Sequence, residues 1–170
     1  MPRKPDRELA DSPLDAAVRA LARRDLSTRQ LDERLVRAGV STAARRETLE
    51  TAERLGYLND ERFAFGYASY RVRQKPMGRQ RLKRDLQLKK VDRATADEAL
   101  RLVFEETPEE ELIDRAIKKR TRLRGLPHTR AEIKSLIDHL LRQGFSYELI
   151  AGKVRAISAA DVDEDDTSVA

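Results

Sequence analysis

The chain has 170 residues, of which 39% are hydrophobic and 38% are charged, and it contains no cysteine and no tryptophan. The lack of cysteine excludes disulfides and thiolate metal sites. No stretch approaches the roughly 18 consecutive apolar residues of a membrane span, and residues 1–13 contain no apolar signal segment. We therefore expect a cytoplasmic protein without membrane contact.

Positive charge is concentrated in the middle of the chain. The net charge is +5, although the final ten residues, 161–170, contain five acids and no base. Residues 59–104 contain twelve bases and six acids, whereas the segments on either side are nearly balanced. A positive field of this kind attracts a polyanion, either nucleic acid or an acidic protein surface.

The composition favours helices throughout, and no alternating strand pattern occurs. Ser27 with Gln30, and Thr129 with Glu132, have the spacing of a capping box, in which the two side chains satisfy the first backbone amides of a helix. Pro108, followed by three glutamates, predicts a helix with proline at its first position. The predicted helices cover residues 14–24, 28–38, 42–55, 60–74, 79–89, 93–104, 108–122, 130–143 and 147–157.

One pattern occurs three times along the chain, beginning at Leu31, Leu82 and Leu136. In each copy a second leucine follows four residues later, so that both lie on one helix face. Four residues further on, a glycine in the first and third copies can adopt the left-handed conformation that ends a helix. Lys90 replaces this glycine in the second copy, which predicts either a small strain or a different helix end.

These patterns predict an all-α fold of three tandem three-helix repeats in an elongated, curved molecule. The predicted helix at 60–74 is apolar on two sides, so its second side packs on a neighbouring repeat or meets a partner. The acidic C-terminal residues, 159–170, could also fold over the basic residues 71–84. The expected segments are a disordered N-terminus at 1–12, repeats at 13–58, 59–105 and 106–158, and a disordered acidic tail at 159–170.

Residues 71–84, RVRQKPMGRQRLKR, contain seven bases and no acid. Leu82 and Leu86 define the inward face of the second helix, which places Arg81, Lys83 and Arg84 outward. An ordinary solvated helix intersperses acids among its bases, so this stretch favours the binding of an anionic partner. The candidate binding residues are Arg71, Arg73, Lys75, Arg79, Arg81, Lys83, Arg84 and Lys89, of which Arg79 and Lys89 are expected near the edge of the core.

The sequence predicts no catalytic, cofactor or metal site. His128 and His139 have no acid or hydroxyl at a spacing typical of a catalytic triad or a metal centre. Asp60 and Glu61 lie in the first turn of a helix, where they compensate the helix dipole. We therefore expect a binding protein that is not an enzyme and needs no cofactor.

Several segments resemble the RecX family, bacterial regulators of the RecA recombinase. Residues 56–64, GYLNDERFA, are similar to the family's GYLDDERFA, and residues 78–86, GRQRLKRDL, are similar to its GxxRLxxEL. Residues 20–27, ALARRDLS, and 141–146, LRQGFS, also match the family pattern. Asn59, Asp85 and Lys90 depart from it, standing where the family has Asp, Glu and Gly.

The resemblance implies an all-helical protein of three repeats that binds in the groove of the RecA filament on single-stranded DNA. It implies inhibition of ATP hydrolysis and strand exchange in recombinational repair and the SOS response, without catalytic residues of its own. We expect a monomer that binds the filament and, weakly, single-stranded DNA. Two alternatives stay open: a general DNA-binding protein or transcription factor independent of RecA, and a scaffold without a nucleic-acid ligand.

Overall fold

The computed structural model describes the backbone of residues 12–165 and the side chains of residues 12–157. The predicted extreme termini, residues 1–11 and 166–170, lie outside this part of the chain. All the predicted helices are present between residues 12 and 165, with no strand, which confirms the all-α fold. The helices are α1 (Pro13–Arg23), α2 (Thr28–Arg37), α3 (Thr42–Arg54), α4 (Asp60–Gln74), α5 (Arg79–Leu88), α6 (Arg93–Glu106), α7 (Glu109–Arg124), α8 (Arg130–Gln143) and α9 (Tyr147–Asp165).

The last helix continues past its predicted end at residue 157. Helix α9 extends to Asp165, so residues 159–165, which the sequence predicts to be disordered, have a helical backbone. No glycine or proline follows Val154 to end the helix, and the alanines at 156, 159 and 160 favour its continuation.

The helix starts are set by local side-chain caps. Both predicted capping boxes are present. The side chains of Ser27 and Thr129 each accept from the backbone amide three residues on, and their own backbone amides donate to the side chains of Gln30 and Glu132. The prediction that Pro108 is the first residue of its helix is wrong by one position: Pro108 is the N-cap, and Glu109 is the first helical residue. Its ψ of 139° is extended, while its carbonyl accepts the bond from the amide of Leu112 at 3.3 Å.

The second helix of each repeat ends in the same way, with a residue in the left-handed conformation. Gly39, Lys90 and Gly144 have φ values of +77°, +65° and +90°. Lys90 therefore adopts the conformation of the glycines instead of ending its helix differently. The next residue, Val91, donates to the carbonyl of Leu86 at 3.1 Å, as its counterparts do in the other repeats.

We expect Lys90→Gly to raise the free energy of unfolding by about 0.5–1 kcal/mol. A residue with a side chain pays about 1–2 kcal/mol to adopt the left-handed conformation, and glycine avoids this cost. Part of the gain is offset because glycine loses more conformational entropy on folding. Chemical denaturation measures the change. Lys90→Ala is the control, because it also removes the exposed ion pair of Lys90 with Glu33 but keeps the Cβ atom; equal stability of the two variants would contradict the strain.

The buried side chains form two separate cores. One lies within the first repeat and contains Leu31, Leu35 and Leu58. The other joins the second and third repeats, and places Leu82 and Leu86 in one cluster with residues such as Phe145. Repeats two and three therefore share one hydrophobic core, whereas repeat one has its own.

Polar bonds connect repeats one and two. The buried hydroxyl of Ser27 donates to the carbonyl of Lys89 at 2.6 Å. The backbone amide of Thr28 donates to the Asp60 carboxylate at 2.7 Å. Asp60 thus links two repeats through the start of α2, in addition to its place in the first turn of α4.

The contact between repeats two and three depends on the first turn of α5. This helix has no side-chain cap. Instead, the amides of Gly78 and Gln80 donate to the carbonyls of Gln143 and Gly144 at 3.0 and 3.1 Å. The Arg79 amide donates to the carboxylate of Glu109 at 2.8 Å. Repeat three therefore satisfies three donors that a helix start otherwise leaves unpaired.

Two glycines permit this close approach. A Cβ atom on Gly78 would lie 2.3 Å from the carbonyl carbon of Gly144, and one on Gly144 would lie 2.4 Å from the Cβ of Arg81. Backbone atoms cannot move aside as the end of a flexible side chain can, so any larger residue at position 78 separates the two repeats.

We expect Gly78→Ala to lower the free energy of unfolding by about 3 kcal/mol, at the upper end of overpacking costs. The matched control is Gly66→Ala in α4, where a Cβ atom would meet nothing within 4 Å. Because alanine favours the helix interior, the control should gain about 0.5–1 kcal/mol. Thermal and urea unfolding of both variants test this; an unchanged stability of Gly78→Ala would show that the repeats do not depend on the contact.

Candidate functional site

The candidate cations lie on two helices that a buried turn connects. Helix α4 ends at Gln74, and Pro76, Met77 and Gly78 are buried before α5 begins. Because the turn is packed into the shared core, the end of α4 and the start of α5 have fixed relative positions. The basic side chains therefore project from a defined surface.

Two of the candidate cations have carboxylate partners, so the expected lack of counter-charge is wrong for them. A nitrogen of Arg71 lies 3.3 Å from the carboxylate of Asp85. Lys83 pairs with Asp97, and this hydrogen bond lowers the pKa of the Asp97 carboxyl. Both acids lie outside residues 71–84 in the sequence and reach the cations only through the packing of α5 against α4 and α6.

Three further candidates contribute to packing. Arg81, predicted to point outward, is half-buried: its side chain donates to the carbonyl of Arg142 at 3.3 Å. The guanidinium of Arg79 lies 4.6 Å from the centre of the Phe104 ring. The ammonium of Lys89 lies 5.5 Å from the centre of the Tyr67 ring. Lys89 is half-buried at the core edge, as the helical projection predicted, whereas Arg79 is exposed and reaches the core only through its contact with the Phe104 ring.

The remaining candidates, Arg73, Lys75 and Arg84, are exposed. Within residues 12–157, none of the three takes part in an ion pair. Their charge is therefore available to a partner.

A second acid-free stretch, which the sequence analysis missed, lies beside Lys75. Residues 115–131 contain seven lysines and arginines and no acid. The acids at the start of α7 bring the net charge of the third repeat close to zero, so the total charge does not reveal this stretch. A search for runs of bases without acids, which singles out residues 71–84, also finds residues 115–131. We use the term cationic cleft for the opening of about 170 Å³ lined by Lys75, Lys119, Arg120, Arg124 and His139.

The cationic cleft affects the titration of its histidine. Burial, followed by the charges of Arg120, Arg142, Lys75 and Arg124, lowers the pKa of His139. Its Nε2 lies 3.0 Å from the side-chain nitrogen of Gln143, so the neutral ring accepts a hydrogen bond from the amide. Burial and the surrounding cations therefore both disfavour the protonated form of His139.

We expect an anion bound in the cationic cleft to raise the pKa of His139, because it offsets the neighbouring cations. Titration of the imidazole proton resonance with and without sulfate measures this, and the exposed His128 is the internal control. Without an anion, the depressed pKa means that the unfolded chain binds the proton first, so stability falls as the pH drops through the ordinary histidine pKa of about 6.5. A His139 pKa that sulfate does not change would contradict anion binding at the cleft.

Among residues 12–157, no group of three or more His, Asp or Glu side chains could hold a metal ion. None of the described helices is long and apolar enough to cross a membrane.

Comparison with known proteins gives one consistent family. A sequence model of the second three-helix domain of RecX matches residues 59–100. Regulatory protein RecX of Halorhodospira halophila is 34% identical over 153 residues, which cover 89% of each chain. Its counterpart in Treponema pallidum strain Nichols is 35% identical over 113 residues, 66% of this chain and 69% of that one.

The fold also resembles a solved structure. The crystal structure of RecX from Lactobacillus salivarius matches with a TM-score of 0.77 and covers 86% of this chain and 95% of the other. The sequence identity is 19%, so this likeness shows a common fold.

Proposed function

Since the chain belongs to the RecX family of regulatory proteins, we propose that it regulates the RecA recombinase. In this proposal it binds the RecA filament on single-stranded DNA and inhibits ATP hydrolysis and strand exchange. It acts by binding alone, without chemistry of its own.

The cationic cleft is the observation that carries this proposal. Lys75 comes from the second repeat, while Lys119, Arg120 and Arg124 come from the third. The shared core and the α5 contact hold both sources in a fixed arrangement. A rigid cationic surface suits a repeating anionic partner, because its binding costs little conformational entropy.

The outer face of α6 argues against a reader of base sequence. A recognition helix presents unpaired polar side chains to the base edges of the major groove. In α6, Leu100 and Val103 are buried, and the exposed Arg101 is paired with both Glu98 and Glu105. This supports regulation of RecA over sequence-specific DNA binding.

We expect Lys75→Glu combined with Lys119→Glu to raise at least about tenfold the concentration that halves RecA ATP hydrolysis. Each reversal costs on the order of 1 kcal/mol or more against an anionic surface. Both residues are exposed, so the fold should be retained, which circular dichroism checks. The ATPase rate of RecA on single-stranded DNA is measured at increasing concentrations of each variant.

Arg46→Glu combined with Arg54→Glu is the matched control, since both arginines are exposed in the first repeat and the net charge changes equally. This variant should inhibit as the unmodified chain does. Unchanged inhibition by the cleft variant, or an equal loss in the control, would contradict a role for the cleft. Tight sequence-selective DNA binding without any effect on RecA would favour the DNA-binding alternative instead.

A further inference from the structure

A second concave surface, the tyrosine groove, lies between the first and second repeats. Its volume is about 650 Å³, within the range of about 300–1,000 Å³ that is usual for ligand clefts. The end of α1, the segment before α4, one face of α4 and the end of α5 form its walls. It lies where the two separate cores face each other, so no shared apolar packing fills it.

Aromatic rings dominate this groove. Tyr57 and Tyr70 are 50% and 60% exposed, which is high for such large side chains. The rings of Phe63 and Tyr67, which also line the groove, are stacked, with centroids 6.3 Å apart and an interplanar angle of 18°. Three of the four tyrosines of the chain thus line one groove.

Cations border the aromatic rings. Arg24, Arg62 and Lys89 line the groove, against one acid, Asp25. Arg62 donates one bond to the carbonyl of Gly56 at 2.9 Å and retains other donors for a ligand. Aromatic faces with adjacent positive charge form the arrangement that binds single-stranded nucleic acid, because bases stack on the rings while cations contact phosphates.

Gly66 keeps the groove open. It lies in the interior of α4, on the face that also contains Phe63 and Tyr70. A glycine there costs about 0.5–1 kcal/mol relative to alanine, and no internal contact requires it, since a Cβ atom would meet nothing within 4 Å. The packing of the protein therefore does not require a glycine at position 66, and its missing side chain leaves open space in the groove.

We propose that the tyrosine groove binds unpaired bases of a single-stranded nucleic acid, stacked on Tyr57 and Tyr70, with the phosphates held by Arg24, Arg62 and Lys89. The groove is distinct from the cationic cleft, which is built from the second and third repeats. This inference does not depend on an action on RecA, and its test contains no RecA.

The experiment measures the binding of a fluorescent oligothymidylate to the full chain by fluorescence anisotropy at low salt. Because the chain has no tryptophan, quenching of its tyrosine emission reports stacking directly. Tyr57→Leu and Tyr70→Leu should each weaken binding at least about fivefold. Tyr57→Phe and Tyr70→Phe keep the ring and should bind as the unmodified chain does.

Tyr147→Leu is the matched control, since Tyr147 is equally exposed but lies in the third repeat, outside the groove. Gly66→Leu fills the groove while favouring the helix, so it should weaken binding without lowering stability. Normal binding by Tyr57→Leu, Tyr70→Leu and Gly66→Leu would overturn the proposal. It is also overturned if the unmodified chain does not bind, if an abasic strand binds equally well, or if a polyaspartate peptide binds with the same sensitivity to these substitutions.

Discussion

The arrangement of the chain depends on the first turn of α5, whose amides bond to the third repeat. Three backbone donors that lack a cap within their own repeat are satisfied by two carbonyls of the α8–α9 turn and by one carboxylate of α7. Glycines at 78 and 144 bring the two backbones close enough for these bonds. Since the two repeats then share one core, basic residues distant in the sequence are held on one surface.

Basic residues that are neighbours in the sequence are not all free to bind an anionic partner. The stretch at 71–84 is free of acid as a sequence, yet Arg71 and Lys83 have carboxylate partners from α5 and α6. Lys75 lies instead beside cations of α7. An anion that binds beside several cations relieves the repulsion between them. A cation that already pairs with a carboxylate must give up that ion pair before it can bind another anion. The charge that is available to a partner therefore depends on the tertiary arrangement of the basic residues more than on their number.

Features that depend on neighbours in the sequence were predictable. The cap of α2 requires only Ser27 and Gln30, and the end of α8 requires a glycine at 144, so both follow from the residues themselves. The pairing of Lys83 with Asp97 joins two helices, and the cleft that Lys75 lines together with residues of α7 joins two repeats. Such contacts follow from packing, which periodicity does not determine. The tyrosine groove was not predicted for the same reason, since its walls come from several separate segments.

The separation of the hydrophobic core into two clusters has a consequence for local unfolding. Residues that unfold together exchange their amide hydrogens with solvent at the same rate, because the loss of one packing contact destabilises the others. Repeats two and three meet this condition through their common core, whereas repeat one adjoins them through polar bonds such as those of Ser27 and Asp60. We therefore expect two cooperative units, of which the N-terminal one opens while the C-terminal pair stays folded.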